Sequence, residues 1–245
     1  MRRGRESAYD RKAPHGLPPT SLVPTNLFDL WIEAWRQKVA TGDVIVVRYA
    51  DDLVVGFENR TEAERFLKAF RDRLAKFGLE LHPEKTRLIE FGRFAARDRE
   101  KRGEGKPETF TFLGFTHICG TNYQTGKFTV HRRTIGKRMA AKLKDIRAQL
   151  YQRMHARLPG TVKWLQQVVR GYFQYHAVPG NCAQLGAFRD EVLRSWLQAL
   201  RRRSQRQRMS WERFNVRLVP LIPQVQVLHP YPNLRFDAKH FPYPR

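Results

Sequence analysis

The run Val44-Ile45-Val46-Val47-Arg48-Tyr49-Ala50-Asp51-Asp52-Leu53-Val54-Val55-Gly56-Phe57 decides how this chain is read. Two apolar, largely β-branched stretches of strand length flank Tyr49-Ala50-Asp51-Asp52, so the acidic pair falls where one strand turns into the next. Side chains alternate faces along a strand, yet a tight turn can present neighbouring carboxylates to one hard cation. Mg²⁺ accepts such a set: one or two carboxylates, with phosphate and water completing its shell. The same letters also suit a plain Asp-Asp turn, because Asp is a favoured turn residue. Asp51 and Asp52 are therefore candidate metal ligands, and the segments around them decide between the two readings.

Upstream, residues 1–25 are basic and carry Pro14, Pro18, Pro19 and Pro24 with little apolar periodicity, which predicts an irregular leader. From Asn26, the positions Leu27, Leu30, Trp31, Ala34, Trp35 and Val39 fall at helical spacing and end near Gly42. Downstream, Asn59-Arg60-Thr61 with Glu62 and Glu64 reads as a helix start, and Phe66, Leu67, Phe70, Leu74 and Phe77 continue it to Gly78. A further strand is expected over Thr86 to Phe91. Together these predict a small antiparallel sheet with helices on one face. The charge-rich stretch Gly92 to Glu108 reads as a mobile loop or an insertion. Thr109 to Ile118 and Lys127 to His131 resume strand character across a turn-rich link.

From Thr134 the period becomes helical. Met139, Leu143, Ile146, Leu150 and Met154 form one apolar face, and Pro159-Gly160 is expected to end that helix. Val162 to Ala177 and Cys182 to Arg203 offer two more, enough for a bundle. Period and composition shift together, which places a domain boundary near residue 133. The expected organisation is an irregular leader (1–25), a mixed α+β part (26–133), a helical part (134–219) and a Pro-rich extended tail (220–245).

Charge is the unusual number. The chain has 46 Lys+Arg against 23 Asp+Glu, a net +23. Residues 131–210 hold 18 of the cations and only Asp145, Asp190 and Glu191, hence +15, which leaves +8 elsewhere. Such a surface speaks of a polyanionic partner. No apolar run approaches the roughly 20 residues of a spanning helix, so a membrane is not the expected partner. Cys119 and Cys182 stand far apart with no metal-binding spacing, which excludes a disulfide framework and a zinc finger and predicts two buried thiols in a reducing compartment. The start Met-Arg-Arg-Gly-Arg-Glu has no apolar signal segment, and a cytoplasmic location is expected.

Several motifs in order give these pieces a common meaning. Tyr-Ala-Asp-Asp at 49–52 resembles the catalytic hairpin of the group II intron reverse transcriptase/maturase family. Leu79-Glu80-Leu81-His82-Pro83-Glu84-Lys85-Thr86-Arg87-Leu88 resembles the following palm motif with its lysine, and Phe112-Leu113-Gly114-Phe115 the primer-grip turn. Gly171-Tyr172-Phe173-Gln174-Tyr175-His176 is similar to the thumb, or maturase, segment. The resemblance covers about residues 26 to 240 and the downstream part of the family's polypeptide.

The resemblance implies an α+β fold: a partial reverse-transcriptase palm followed by an α-helical thumb/maturase bundle. It implies RNA-directed DNA polymerase chemistry with Mg²⁺ as cofactor, Asp51 the firmer metal ligand and Asp52 the accessory one. Lys85 would stand near the leaving pyrophosphate as general acid or charge stabiliser. Tyr49, Phe112, Leu113 and Gly114 would meet the primer. The implied partners are group II intron RNA and an RNA/DNA primer-template. For nucleic-acid phosphates the basic residues Lys137, Arg138, Lys142 and Lys144, and Arg201, Arg202, Arg203, Arg206 and Arg208, are the candidates. Bland alternatives stay open: a solvated lysine at 85, bundle core for Trp164, Tyr172, Phe173 and Tyr175, and a merely soluble basic face.

The family also uses a metal-binding Asp on an earlier strand and a Gln-Gly motif, and neither is found. Of the earlier acids, Glu6 and Asp10 lie in the leader, and Asp29 and Glu33 within a helical pattern. The chain alone is therefore expected to be a poor polymerase, and three readings stay open: the C-terminal piece of an interrupted gene, the partner of a separately encoded N-terminal polymerase half, or a remnant. Whether it is itself an enzyme stays open. The alternative is a non-catalytic maturase-like protein that helps a group II intron fold and splice. No Cys-containing endonuclease module follows, so DNA cleavage is not expected.

Overall fold

The computed structural model describes residues 25–122, 125–203 and 209–231. The 1–25 leader, but for Thr25, and the tail beyond Tyr231 lie outside these residues, as do Arg206 and Arg208. The chain divides into two compact units between Ile89 and Glu90, whereas composition and period change near residue 133. Among the described residues no helix is long and apolar enough to cross a membrane.

The first unit holds α1 (Thr25–Lys38), β1 (Val44–Tyr49), β2 (Asp52–Phe57) and α2 (Arg60–Ala75). The strands pair antiparallel in the register Val44↔Phe57 through Tyr49↔Asp52. Residues directly opposite share a face, so Val44, Val46, Leu53, Val55 and Phe57 form the inner face, and all five pack in one core with both helices. That core is aromatic: Trp35 meets Phe66 edge-on at 5.0 Å, and Phe28 meets Phe70 at 5.1 Å. On α1 the stripe runs Phe28, Trp31, Ile32, Trp35, the i, i+3, i+4, i+7 pattern of one helical face. Leu30, expected on that face, lies opposite it and is exposed. Helix α2 starts after Asn59, whose side chain makes no capping bond, and Gly78 follows it at φ +68°.

The strand expected over Thr86 to Phe91 does not form. Pro83-Glu84-Lys85 is a turn, with Lys85 N and Thr86 N donating to His82 O, and the residues after it run without a strand partner. The physical reason is where its side chains go. Phe91, already within the second unit, meets Phe110 edge-on at 5.0 Å instead of facing a partner strand. The segment does not extend the first sheet, which is two-stranded among the described residues.

The second unit begins with a short helix, α3 (Ala95–Lys101), inside the stretch expected to be loop. Its Arg99 pairs with Glu104 at 3.4 Å, and Arg102, just beyond it, with Glu104 at 2.8 Å and with Glu90. A three-stranded antiparallel sheet follows in the order β3 (Phe110–Phe112), β4 (Phe115–Thr121), β5 (Phe128–Thr134). The run Thr109 to Ile118 is thus two strands, broken at Leu113-Gly114. Gly120 is needed for space: a Cβ there would lie 2.2 Å from the His131 ring.

Among the described residues four helices complete the unit: α4 (Gly136–Gln152), α5 (Leu158–His176), α6 (Cys182–Arg203) and α7 (Trp211–Arg217). Pro159-Gly160 does not end the first of them. It lies in the opening turn of α5, where the missing proline N–H costs no bond. Ile146, Leu150, Leu165, Val169, Phe173, Leu185, Phe188, Trp196 and Phe214 are buried in one core. The described tail runs extended over it: Arg189 donates to Val219, Ile222 and Pro223 carbonyls, and Leu228 N and His229 N to Ala177 O. Cys119 is half-buried but Cys182, the first residue of α6, is exposed, against the expectation of two buried thiols. As a helix-opening residue it lies outside the core its neighbour Leu185 enters.

Candidate functional site

A two-residue connection, Ala50-Asp51, joins β1 to β2. Ala50 has φ +50°, the left-handed sign that a type II′ hairpin turn requires at its first central residue. An alanine there is strained by roughly 1 kcal/mol, and the paired strands hold it. The turn exposes both Asp51 and Asp52. Asp52 lies opposite Tyr49 and so shares its face, the outer one, where Tyr49 is 64% and Ile45 67% exposed. Among the described residues no cation pairs with either carboxylate, and no third acid, His or Cys joins them in a metal-binding group. Two exposed oxygen-donor side chains with no internal partner suit a hard cation that takes its remaining ligands from elsewhere.

The earlier acids are committed otherwise. Asp29 pairs with Arg48 at 2.9 Å, which ties α1 to β1 on the inner face, and Glu33 pairs with Arg36. Lys85 is exposed in its turn and is not joined to Asp51 or Asp52 by an ion pair. Glu62 was readable only as a helix-dipole acid, yet it is buried and accepts bonds from Thr41 N at 2.7 Å, Thr41 Oγ1 and Gly42 N. The Thr41 hydroxyl, with help from the Thr41 and Gly42 amides, holds its carboxyl below the usual range. This fixes the loop that feeds β1. Its sequence signal was weak, an acid one helical turn before buried Phe66.

In the second unit, Phe112-Leu113-Gly114-Phe115 forms a tight hairpin with Leu113 at φ +48° and Gly114 at φ +79°. Positive φ at both central residues is the type I′ pattern that matches strand twist. Gly114 is buried: a Cβ there would stand 3.3 Å from the Arg138 guanidinium and 3.6 Å from the Tyr175 ring. Tyr175 donates its hydroxyl hydrogen to Leu113 O at 2.8 Å and stacks on Phe115 at 5.9 Å. The turn expected to meet a primer is therefore bolted to α4 and α5.

Behind it lies a buried polar hub. Asn181, wholly buried, donates to Thr134 Oγ1 at 2.8 Å and His176 O at 2.9 Å and accepts from Thr134 N at 3.1 Å. His176 faces Thr134 Oγ1 at 3.4 Å; burial, and the Arg138 charge after it, push its pKa down. His117, stacked on Phe110 at 4.7 Å, is lowered by burial and by Arg132. Neither Asn181 nor Thr134 stood out in the sequence, since isolated polar residues near helix starts usually serve as local caps.

The basic candidates separate into kinds. Lys137, Arg138, Lys142 and Lys144 are all exposed on α4. Arg201, Arg202 and Arg203 are exposed at the end of α6, but each also has an internal partner: Met209 O at 3.1 Å, the Tyr151 ring at 6.0 Å and Ala156 O at 3.4 Å. Among the aromatics, Phe173 is core and Tyr172 stacks on Phe188 at 3.6 Å, so both serve the bundle. Tyr175 is the half-exposed one and holds the hairpin turn.

No curated protein matches this chain. Residues 2–117 match the sequence model of a family, so the similarity begins well before residue 26, where it was expected to start, and ends before the helical part. The matched segment carries the exposed Asp51-Asp52 hairpin, the Lys85 turn and the Phe112–Phe115 turn, and it is similar to the family described as reverse transcriptase (RNA-dependent DNA polymerase).

Proposed function

We propose that this chain contributes the acidic hairpin to the two-metal site of a group II intron RNA-directed DNA polymerase/maturase and holds intron RNA and primer-template through its basic helical unit. One observation carries the reading: two adjacent carboxylates, exposed and free of internal cations among the described residues, at the turn of a hairpin within the segment similar to reverse transcriptases. Asp51 and Asp52 supply hard oxygen donors. Bound to them, Mg²⁺ would supply positive charge to a primer 3′-hydroxyl and an incoming triphosphate. Tyr49, on the face of Asp52, offers a ring beside that position. Lys85 would neutralise charge on the leaving pyrophosphate. The Leu113-Gly114 turn would support the primer strand, and Lys137, Arg138, Lys142, Lys144 and Arg201–203 would neutralise phosphates. The remaining carboxylate would come from outside the described residues, a separately made polymerase half included.

A second reading rests on a different observation. Only two candidate ligands gather at the hairpin, with no third among the described residues, and losing one ligand of a two-metal site costs orders of magnitude in rate. The chain would then be a maturase-like RNA-binding protein that keeps the hairpin as scaffold. Primer extension on an RNA template in Mg²⁺, with the wild-type chain and Asp51→Ala, decides between them. Extension by the wild type that Asp51→Ala abolishes, with intron splicing intact, supports the first. Absence of extension in both, beside salt-sensitive RNA binding, supports the second. Binding of neither primer-template nor intron RNA overturns both.

A further inference from the structure

At one end of the helical unit the C-termini of α4 and α6 meet the start of α5. Arg203 donates to Ala156 O at 3.4 Å, the Arg202 guanidinium lies 6.0 Å from the Tyr151 ring centroid, and the Arg153 guanidinium lies 5.0 Å over the Trp164 ring. Two aromatic–guanidinium pairs thus share one end of the fold. Tyr151 is 53% exposed, while the core positions of α4 are its neighbours Ile146 and Leu150. The bundle does not use this ring.

Charge at this end is unbalanced. No Asp or Glu lies between Asp145 and Asp190. The nearest acid on α6 with a cation, Glu191, is engaged by Arg147 at 2.7 Å and Arg194 at 3.6 Å. Arg153, Arg157, Arg201, Arg202 and Arg203 are all exposed. The two helix C-termini offset only about one of these charges, at roughly half a charge each. With Glu212 of α7, three residues beyond the Met209 carbonyl that Arg201 holds, counted against them, the surplus is about three, more than helix capping accounts for.

An exposed ring face beside unneutralised guanidinium groups suits one ligand chemistry: a flat base that stacks, joined to a phosphate that an arginine pairs. A duplex hides its base faces and would use only the charge. The geometry points to a binding site for unpaired RNA at this end of the bundle, with Tyr151 as the stacking platform and Arg202 as its phosphate and cation–π partner. It rests on the reading that the helical unit holds RNA and adds the strand state that it selects.

The test is fluorescence anisotropy of the full chain with a labelled short oligouridylate and, separately, a blunt RNA duplex, across a salt series. Tyr151→Leu should weaken oligouridylate binding about tenfold, as expected for one lost base stack, with an unchanged salt slope. Tyr151→Phe should bind as the wild type does, and neither variant should change duplex affinity. Arg202→Gln should lower the salt slope by about one. The inference is overturned if Tyr151→Leu binds oligouridylate as well as Tyr151→Phe, or loses duplex affinity equally. If the wild-type chain binds the duplex but not oligouridylate, this inference alone fails. If it binds neither, the RNA-holding reading fails with it.

Discussion

Asn181→Ala probes the device that holds the helical unit to its sheet. The wild-type amide makes three bonds inside a fully buried site: to Thr134 Oγ1, to His176 O and from Thr134 N. Alanine removes all three partners at once. Thr134 Oγ1 retains His176 Nδ1 at 3.4 Å, so its loss is partial. His176 O keeps Val178 N at 2.8 Å, so its loss is partial too, and only Thr134 N is left without a partner, giving a total of about 1–2 kcal/mol. Urea unfolding followed by tryptophan fluorescence reads this, since Trp196 is buried in the same unit. Asn181→Asp adds a signature that a simple cavity lacks. Its carboxylate keeps the acceptor for Thr134 N but faces His176 O without a donor, so burial raises its pKa above that in the unfolded chain. The native state then binds more protons than the unfolded one, and Asn181→Asp should regain stability as pH falls from 7.5 toward 5. A loss below about 1 kcal/mol for Asn181→Ala, or an Asn181→Asp variant that weakens further in acid, would refute the hub.

Two further substitutions probe the Leu113-Gly114 turn and the buried Glu62 carboxyl. Gly114→Ala should cost about 1 kcal/mol, because a left-handed φ of +79° burdens a Cβ that must also displace Arg138; Gly114→Asn should cost less, and the reverse order in denaturation midpoints would contradict the backbone argument. Glu62 has a folded pKa below its ordinary value of 4.5, so its stabilisation is present above that pH and lost as pH falls through the folded value. Glu62→Gln should therefore lower the melting temperature at pH 7 and converge with wild type in stronger acid; a constant difference at both pH values would show that the Thr41 bonds do not depend on charge.

Much of the fold was legible because its signals were local. β-branched runs on either side of Asp51-Asp52 can pair only as a hairpin, and the 3.6-residue stripes of α2, α4 and α6 place Phe66, Ile146 and Leu185 inward. Errors arose where a local signal had two outcomes. Thr86 to Phe91 has strand residues but spends Phe91 on Phe110 rather than on a partner strand. Pro159-Gly160 breaks a helix or opens one, and here it opens α5. The Leu113-Gly114 turn was legible from the resemblance but not from local propensity, because leucine seldom takes a positive φ. At the candidate site the carboxylates were readable as a motif. Glu62, Asn181 and Tyr175 were not, since their roles depend on partners 20 to 62 residues away in sequence.

The proposed function requires that Asp51 and Asp52 together hold a divalent cation. Mn²⁺-induced paramagnetic broadening of backbone amide resonances in the full chain tests it directly. Broadening should centre on Ala50 to Leu53 in the wild type, be displaced by excess Mg²⁺ and be abolished in an Asp51→Asn/Asp52→Asn variant that still binds RNA. Broadening elsewhere in the chain, or equal broadening at the hairpin of wild type and variant, would contradict it.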